Sequence, residues 1–123
     1  MAYYDNIYIR PAPTSHNVVE QTCDFTANAA STGDIYKANT TSDITMTLPE
    51  SPALGYWCAI WNPDDGATTV ATSGSDVMYD TDNVDGDQFT QATVATSNGL
   101  HATFYYMGSG EWVESTYGAW TFS

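Results

Sequence analysis

Residues 43–79 read DITMTLPESPALGYWCAIWNPDDGATTVATSGSDVMY, and the alternation inside this stretch decides the fold class. Ile44, Met46 and Leu48 alternate with threonines and stop at Pro49. A run led by Gly55 then places Tyr56, Cys58 and Ile60 on one face and Trp57, Ala59 and Trp61 on the other. Asn62-Pro63-Asp64-Asp65-Gly66 turns the chain into a run ending near Thr72, and Gly74-Ser75-Asp76 turns it again. A period of two bounded by Gly, Pro, Asn and Asp predicts half-buried antiparallel strands.

The same pattern continues outward. Residues 18–26 alternate Val19, Gln21, Cys23 and Phe25 against Val18, Glu20, Thr22 and Asp24, which predicts one strand with Cys23 on its apolar face. Ile35 to Ala38 is another short strand, and residues 89–96, 100–107, 111–115 and 118–123 follow between Asn- and Gly-rich turns. Turn signals at intervals of roughly 8–12 residues, with no helical period, predict an all-β chain: an antiparallel β-sandwich or a jelly-roll-like barrel. The expected domain spans residues 18–123.

Residues 1–17 differ in character. Tyr3, Tyr4, Ile7, Tyr8, Ile9 and Arg10 precede Pro11-Ala12-Pro13, a sequence that favours a stiff extended connection. Two readings stay open: an extended N-terminal arm with a Pro-rich spacer that docks elsewhere, or a first strand of the domain.

Charge excludes some partners. Fifteen acidic residues against two basic ones, Arg10 and Lys37, give a net charge of −13. Phosphate-backbone binding needs clustered Lys and Arg, so nucleic acid is not an expected partner. An anionic membrane surface is disfavoured for the same reason. No apolar run approaches the roughly 20 residues that span a bilayer, and the first residues lack the basic start and apolar centre of a signal peptide. Synthesis in a cytoplasm is the expectation. Cys23 and Cys58 allow one internal disulfide, and reduced core thiols are the expected state.

Catalytic constellations are weakly represented. The histidines are His16 and His101, neither beside a nucleophile motif, and a triad needs a histidine held between a carboxylate and a nucleophile. Glu111 and Glu114 flank Trp112, but their odd spacing sends them to opposite faces of a strand. They are expected to be solvated, so no catalytic residues are assigned and no cofactor is expected. The acidic run Asp80, Asp82, Asp85 and Asp87 offers hard oxygen ligands suited to Ca²⁺. Its spacing misses the EF-hand loop because Val84 stands at the fifth position. It is a weak candidate calcium loop beside a plain solvated one.

The strand at residues 55–61 is apolar on both faces. A two-layer domain covers one face with its own core, so Trp57 and Trp61 are the expected subunit interface.

As an ordered set, ITMTLP, GYWCAIWN, GATTV and GSD, followed by TSNGLHATFYYMGSGEW, resemble small β-modules of tailed bacteriophages. Such modules occur in capsid decoration (cement) proteins and in tail-fibre or head-fibre tips. The similarity covers about residues 33–115, and each element alone is common. The resemblance implies a non-enzymatic virion protein, often trimeric, that binds the major capsid protein on the capsid exterior. The residue 3–10 segment would then contact the shell, and the protein would be made in the host bacterial cytoplasm. The alternative within the same resemblance is a receptor- or carbohydrate-binding fibre tip.

Overall fold

The computed structural model describes residues 16–80 and 88–123. The proposed arm residues Tyr3, Tyr4, Ile7, Tyr8, Ile9 and Arg10 lie outside the described residues, as do Asp82, Asp85 and Asp87 of the acidic run.

Twelve strands are formed and no helix among the described residues. They are β1 (Val18–Gln21), β2 (Phe25–Thr26), β3 (Asp34–Ala38), β4 (Ile44–Thr47), β5 (Trp57–Trp61) and β6 (Thr68–Ala71). After these come β7 (Val77–Tyr79), β8 (Gln88–Phe89), β9 (Gln91–Val94), β10 (His101–Gly108), β11 (Glu111–Tyr117) and β12 (Thr121–Phe122). They build a seven-stranded sheet, β1-β3-β5-β10-β11-β7-β8, and a five-stranded sheet, β12-β9-β6-β4-β2. The expected all-β sandwich is the fold.

The pairing inside it is mixed. From β1 to β7 the chain changes sheet at every strand. Strands that are neighbours in sequence therefore lie in opposite layers, and up to β6 alternate strands lie side by side with the same direction, while β10 and β11 stand between β5 and β7. β1 pairs with β3 and β3 with β5 in parallel, and on the opposite sheet β2 pairs with β4 and β4 with β6 in parallel. The stretch at residues 43–79 is thus a coil that supplies strands alternately to both layers, not an antiparallel meander. Period-two alternation fixes which side chains are buried, and parallel and antiparallel neighbours satisfy it equally. Antiparallel pairing enters with β8 on β7 and β9 on β6, and β10 then runs antiparallel between β5 and β11.

The expected strand over residues 18–26 is broken at Thr22–Asp24. Asp24 accepts from the Thr45 backbone N–H at 2.8 Å, and the chain crosses from one sheet to the other there. Cys23 lies in this crossing, exposed and free, so the expectation of two core thiols holds for Cys58 alone. Only Cys58, at 0% exposure, sits in the core.

The core lies between the sheets. Tyr36, Cys58, Ile60, Phe104 and Trp112 face Met46, Val70, Ala92 and Val94 across it. Glu114 alternates in register with Trp112, so its side chain is also buried, at 0% exposure. The expectation that both glutamates are solvated fails there, while Glu111 is exposed as expected. Trp112 stands two residues away and hence on the same face, which takes Glu114 into the core with it.

Candidate docking face

The motif residues are architectural joints. Asp76, of the Gly-x-Asp motif, is 2% exposed. Its carboxylate accepts from the Ser51 N–H at 2.8 Å, the Ser51 hydroxyl at 3.0 Å and the Trp112 indole N–H at 3.2 Å. It thereby ties the loop after Pro49 to the core tryptophan. Asn62, of the Ile-x-Asn motif, donates to Thr68 Oγ1 at 3.1 Å and accepts from the Asp64 N–H at 2.9 Å. Thr68 continues to Ser97 at 2.6 Å, and the Ser97 hydroxyl donates to the Gly66 carbonyl at 2.7 Å. A side chain on Gly66 would strike the Ser42 carbonyl oxygen. Asp34 is held in the same way, accepting from Asn17, Ser31 and Tyr36. These buried polar groups have the partners that burial demands, and the bonds they make are structural.

Nothing in the groups so arranged supplies a nucleophile beside a base. His16 and His101 each lie against an aromatic ring: His16 edge-on to Trp57 at 5.6 Å and His101 stacked on Tyr117 at 5.8 Å. Among the described residues no group of His, Cys, Asp and Glu is gathered to hold a metal ion. Of the candidate calcium loop only Asp80 falls within that description. A depression of about 220 Å³ is lined by Ala29, Ala30, Thr32, Ala53, Leu54, Gly55 and Tyr56. It is smaller than the several hundred Å³ common for small-molecule sites and offers no charged side chain.

The feature that stands out is the outer face of the seven-stranded sheet, away from the core. Register places its side chains in rows that run across the strands. One row is Glu20, Lys37, Trp61, His101 and Tyr117. The next is Val18, Ile35, Ala59, Thr103 and Ser115. A third is Trp57, Tyr105, Val113 and Tyr79. Trp61 and Tyr105 are each 39% exposed, Met107 55% and Tyr117 68%. Both expected interface residues, Trp57 and Trp61, therefore project from this face. The sheet brings them together with Tyr105 and Tyr117, which no single-strand reading had joined to them. The signal was available in the odd positions of residues 100–107, but which strand lies beside which is not written in a period of two.

The electrostatics of the face are unlike those of the chain. The face holds the carboxylates of Glu20 and, beside Val77 at its edge, Glu111, and Lys37 sits 3.8 Å from Glu20 and over the Trp61 ring at 5.8 Å. The other acidic side chains described lie in turns and loops or, as Asp34 and Glu114, on the buried side of the sheet. Aromatic enrichment with charge depletion marks the core of protein–protein contact surfaces. On the inner side of the same strand, burial pushes the Cys58 thiol up to about 12, against the opposing pull of its hydrogen bond with Tyr56. Burial also raises Tyr56 and Tyr36 above the usual phenol range. β5 thus has one side that is dry and closed, and another that is aromatic and open. In comparisons with known proteins, the sequence matches no family model and no curated protein.

Proposed function

We propose that the chain is a non-enzymatic structural protein of a tailed-phage virion, decorating the capsid exterior by surface contact. The observation that supports this reading is the aromatic, charge-poor outer face around Trp57, Trp61, Tyr105 and Tyr117 on an otherwise strongly acidic molecule. It agrees with what the ordered motifs resemble. In this reading three copies meet around a local three-fold position of the shell, with the face turned to a neighbouring copy and residues 3–10 to the major capsid protein. Contact through several weak surfaces gives avidity without a high affinity at each.

The test is co-sedimentation with capsids of the tailed phage whose genome carries this sequence. The intact chain should bind at saturable stoichiometry. Trp61→Glu combined with Tyr105→Glu should weaken binding more than tenfold, and deleting residues 1–13 should abolish it. Normal decoration by both variants, or no decoration by the intact chain, sinks the reading.

A fibre-tip module that binds surface glycan is the second reading, and the row of rings at Trp61, His101 and Tyr117 favours it. Sugar stacking needs an open ring face. Here Lys37 lies over Trp61, and His101 stacks on Tyr117, so the geometry suits protein contact better. Binding on a glycan array that is lost in Tyr117→Ala would reverse that preference.

A further inference from the structure

The seven-stranded sheet ends at β1, and that end is an open ladder. Parallel pairing turns every second residue of an edge strand toward its neighbour and the residues between them outward. The Ile35 N–H donates to the Asn17 carbonyl at 2.9 Å, and the Asn39 N–H to the Gln21 carbonyl at 2.8 Å. Asn17, Val19 and Gln21 therefore direct their backbone groups at β3. The N–H and C=O of Val18 and Glu20 point the other way, and among the described residues β1 has no second neighbour. We propose that this edge takes one extended strand of a partner protein, with a basic side chain opposite Glu20 and apolar ones opposite Val18 and Val19.

The other sheet ends differ. β2, β8 and β12 are each two residues long, whereas β1 offers four in unbroken register with β3. Prolines and bulges commonly protect an edge, and β1 has neither. It is also held at both ends. Asn17 donates to Asp34 at 3.0 Å. One residue earlier, the His16 ring reaches over Gly33 and meets Trp57 edge-on at 5.6 Å. Past the other end, Asp24 accepts from the Thr45 N–H at 2.8 Å. A ladder already fixed needs little further ordering when a strand joins it.

Side chains set the chemistry of the occupant. Val18 is 58% exposed and Val19 packs partly buried against the core, so apolar side chains opposite them extend both faces of the sheet. The Glu20 side chain is 59% exposed although Lys37 lies 3.8 Å away, and its open side suits a second cation. The net charge of −13 draws a basic segment in from a distance. A second copy fits poorly. Antiparallel pairing of β1 with itself sets Glu20 against Glu20 or against Val18, between two molecules that repel. In strand addition the ladder supplies affinity and alternate side chains supply selection. Such an edge works in the same way whether or not the protein belongs to a virion.

Amide exchange and a peptide probe test this on the full-length chain. In the free protein the Val18 and Glu20 amides should exchange about tenfold faster than those of Val19 and Gln21. A fluorescein-labelled peptide containing Thr-Lys-Val-Ile-Thr, whose Lys falls opposite Glu20 in antiparallel pairing, should bind saturably and slow both outward amides. Val18→Pro removes one outward N–H and leaves the β3 ladder whole, since proline is tolerated where an edge strand faces solvent. It should weaken the peptide about tenfold. Glu20→Lys keeps every backbone group and should reverse the preference, favouring the peptide with Glu in place of Lys. Circular dichroism identifies any variant that fails to fold. Outward amides already protected in the free chain overturn the proposal, because something then covers the edge. So does a peptide that fails to saturate at millimolar chain, or that binds without slowing those amides. Equal binding of the Lys and Glu peptides by the native chain overturns the basic occupant.

Discussion

Asp76 shows how much a single buried residue can carry without taking part in any chemistry. Its carboxylate serves three donors, from Ser51 and from the Trp112 indole. Replacing it by Ala leaves those donors without an acceptor in a site that water does not reach. An unsatisfied buried donor costs about 1–3 kcal/mol, and the donors act as one network, so their costs do not simply add. Asp76→Ala is expected to lower unfolding stability by about 3 kcal/mol, and Asp76→Asn by less because the amide oxygen still accepts. Urea unfolding followed by the near-ultraviolet signal of Trp112 measures both. A change within 0.5 kcal/mol for Ala would show that the network is not a joint. Gly66 makes the same point by its lack of a side chain, since the Ser42 carbonyl occupies the space a Cβ would take. As motifs, Gly-x-Asp and Ile-x-Asn were legible in the sequence. Their meaning was not, because each holds together segments far apart in the chain, such as Ser51 with Asp76 and Asn62 with Thr68 and Ser97.

Strand β5 is the element on which the two sides of the fold differ most, and its inner side has a pH signature. Burial raises the Cys58 thiol from its ordinary 9.0 to about 12. In the folded state the thiol stays protonated where the unfolded chain has lost that proton, so the unfolded state binds fewer protons. Stability from this group is fully present below pH 9 and is lost as pH rises from 9 towards about 12. The expected slope is about 1.4 kcal/mol per pH unit inside that window. Tyr56 and Tyr36 add to the loss in the same direction at higher pH. Urea midpoints at pH 8, 9.5 and 10 should therefore fall in the native chain and fall less in Cys58→Ala. Identical slopes would remove the assignment. A thiol reagent at pH 8 gives an independent reading: exposed Cys23 should react at once, and buried Cys58 only on unfolding. For β5 the alternation alone separated Cys58 and Ile60 from Trp57 and Trp61, and the structure keeps that division. The Cys23 expectation failed because the same alternation was extended through Thr22–Asp24, where the chain changes sheet. A local period cannot signal that a strand ends by crossing to the other layer.

At the scale of the molecule, the distribution of charge matters more than its total. A net charge of −13 on 123 residues repels every copy from every other, yet the rows of the outer face hold little of that charge. Long-range repulsion and short-range aromatic contact are thus separated in space, and salt distinguishes them. Interactions between exposed charges fade beyond a screening length of roughly 10 Å at 0.1 M salt, while contact between apolar rings does not. An interface built on opposite charges loosens as salt is added. Association through this face should instead tighten, because only the repulsion between acidic surfaces is screened. Between 50 and 500 mM NaCl, self-association of a chain lacking residues 1–13 should therefore strengthen severalfold, as read by sedimentation equilibrium. The Trp61→Glu, Tyr105→Glu variant should remain monomeric throughout. Substituting sodium sulfate at equal ionic strength should strengthen association further, since sulfate favours apolar burial beyond its screening. If the deleted chain associates at low salt and comes apart at high salt, charge pairing governs the contact, and the face of Trp57, Trp61, Tyr105 and Tyr117 is not where copies meet.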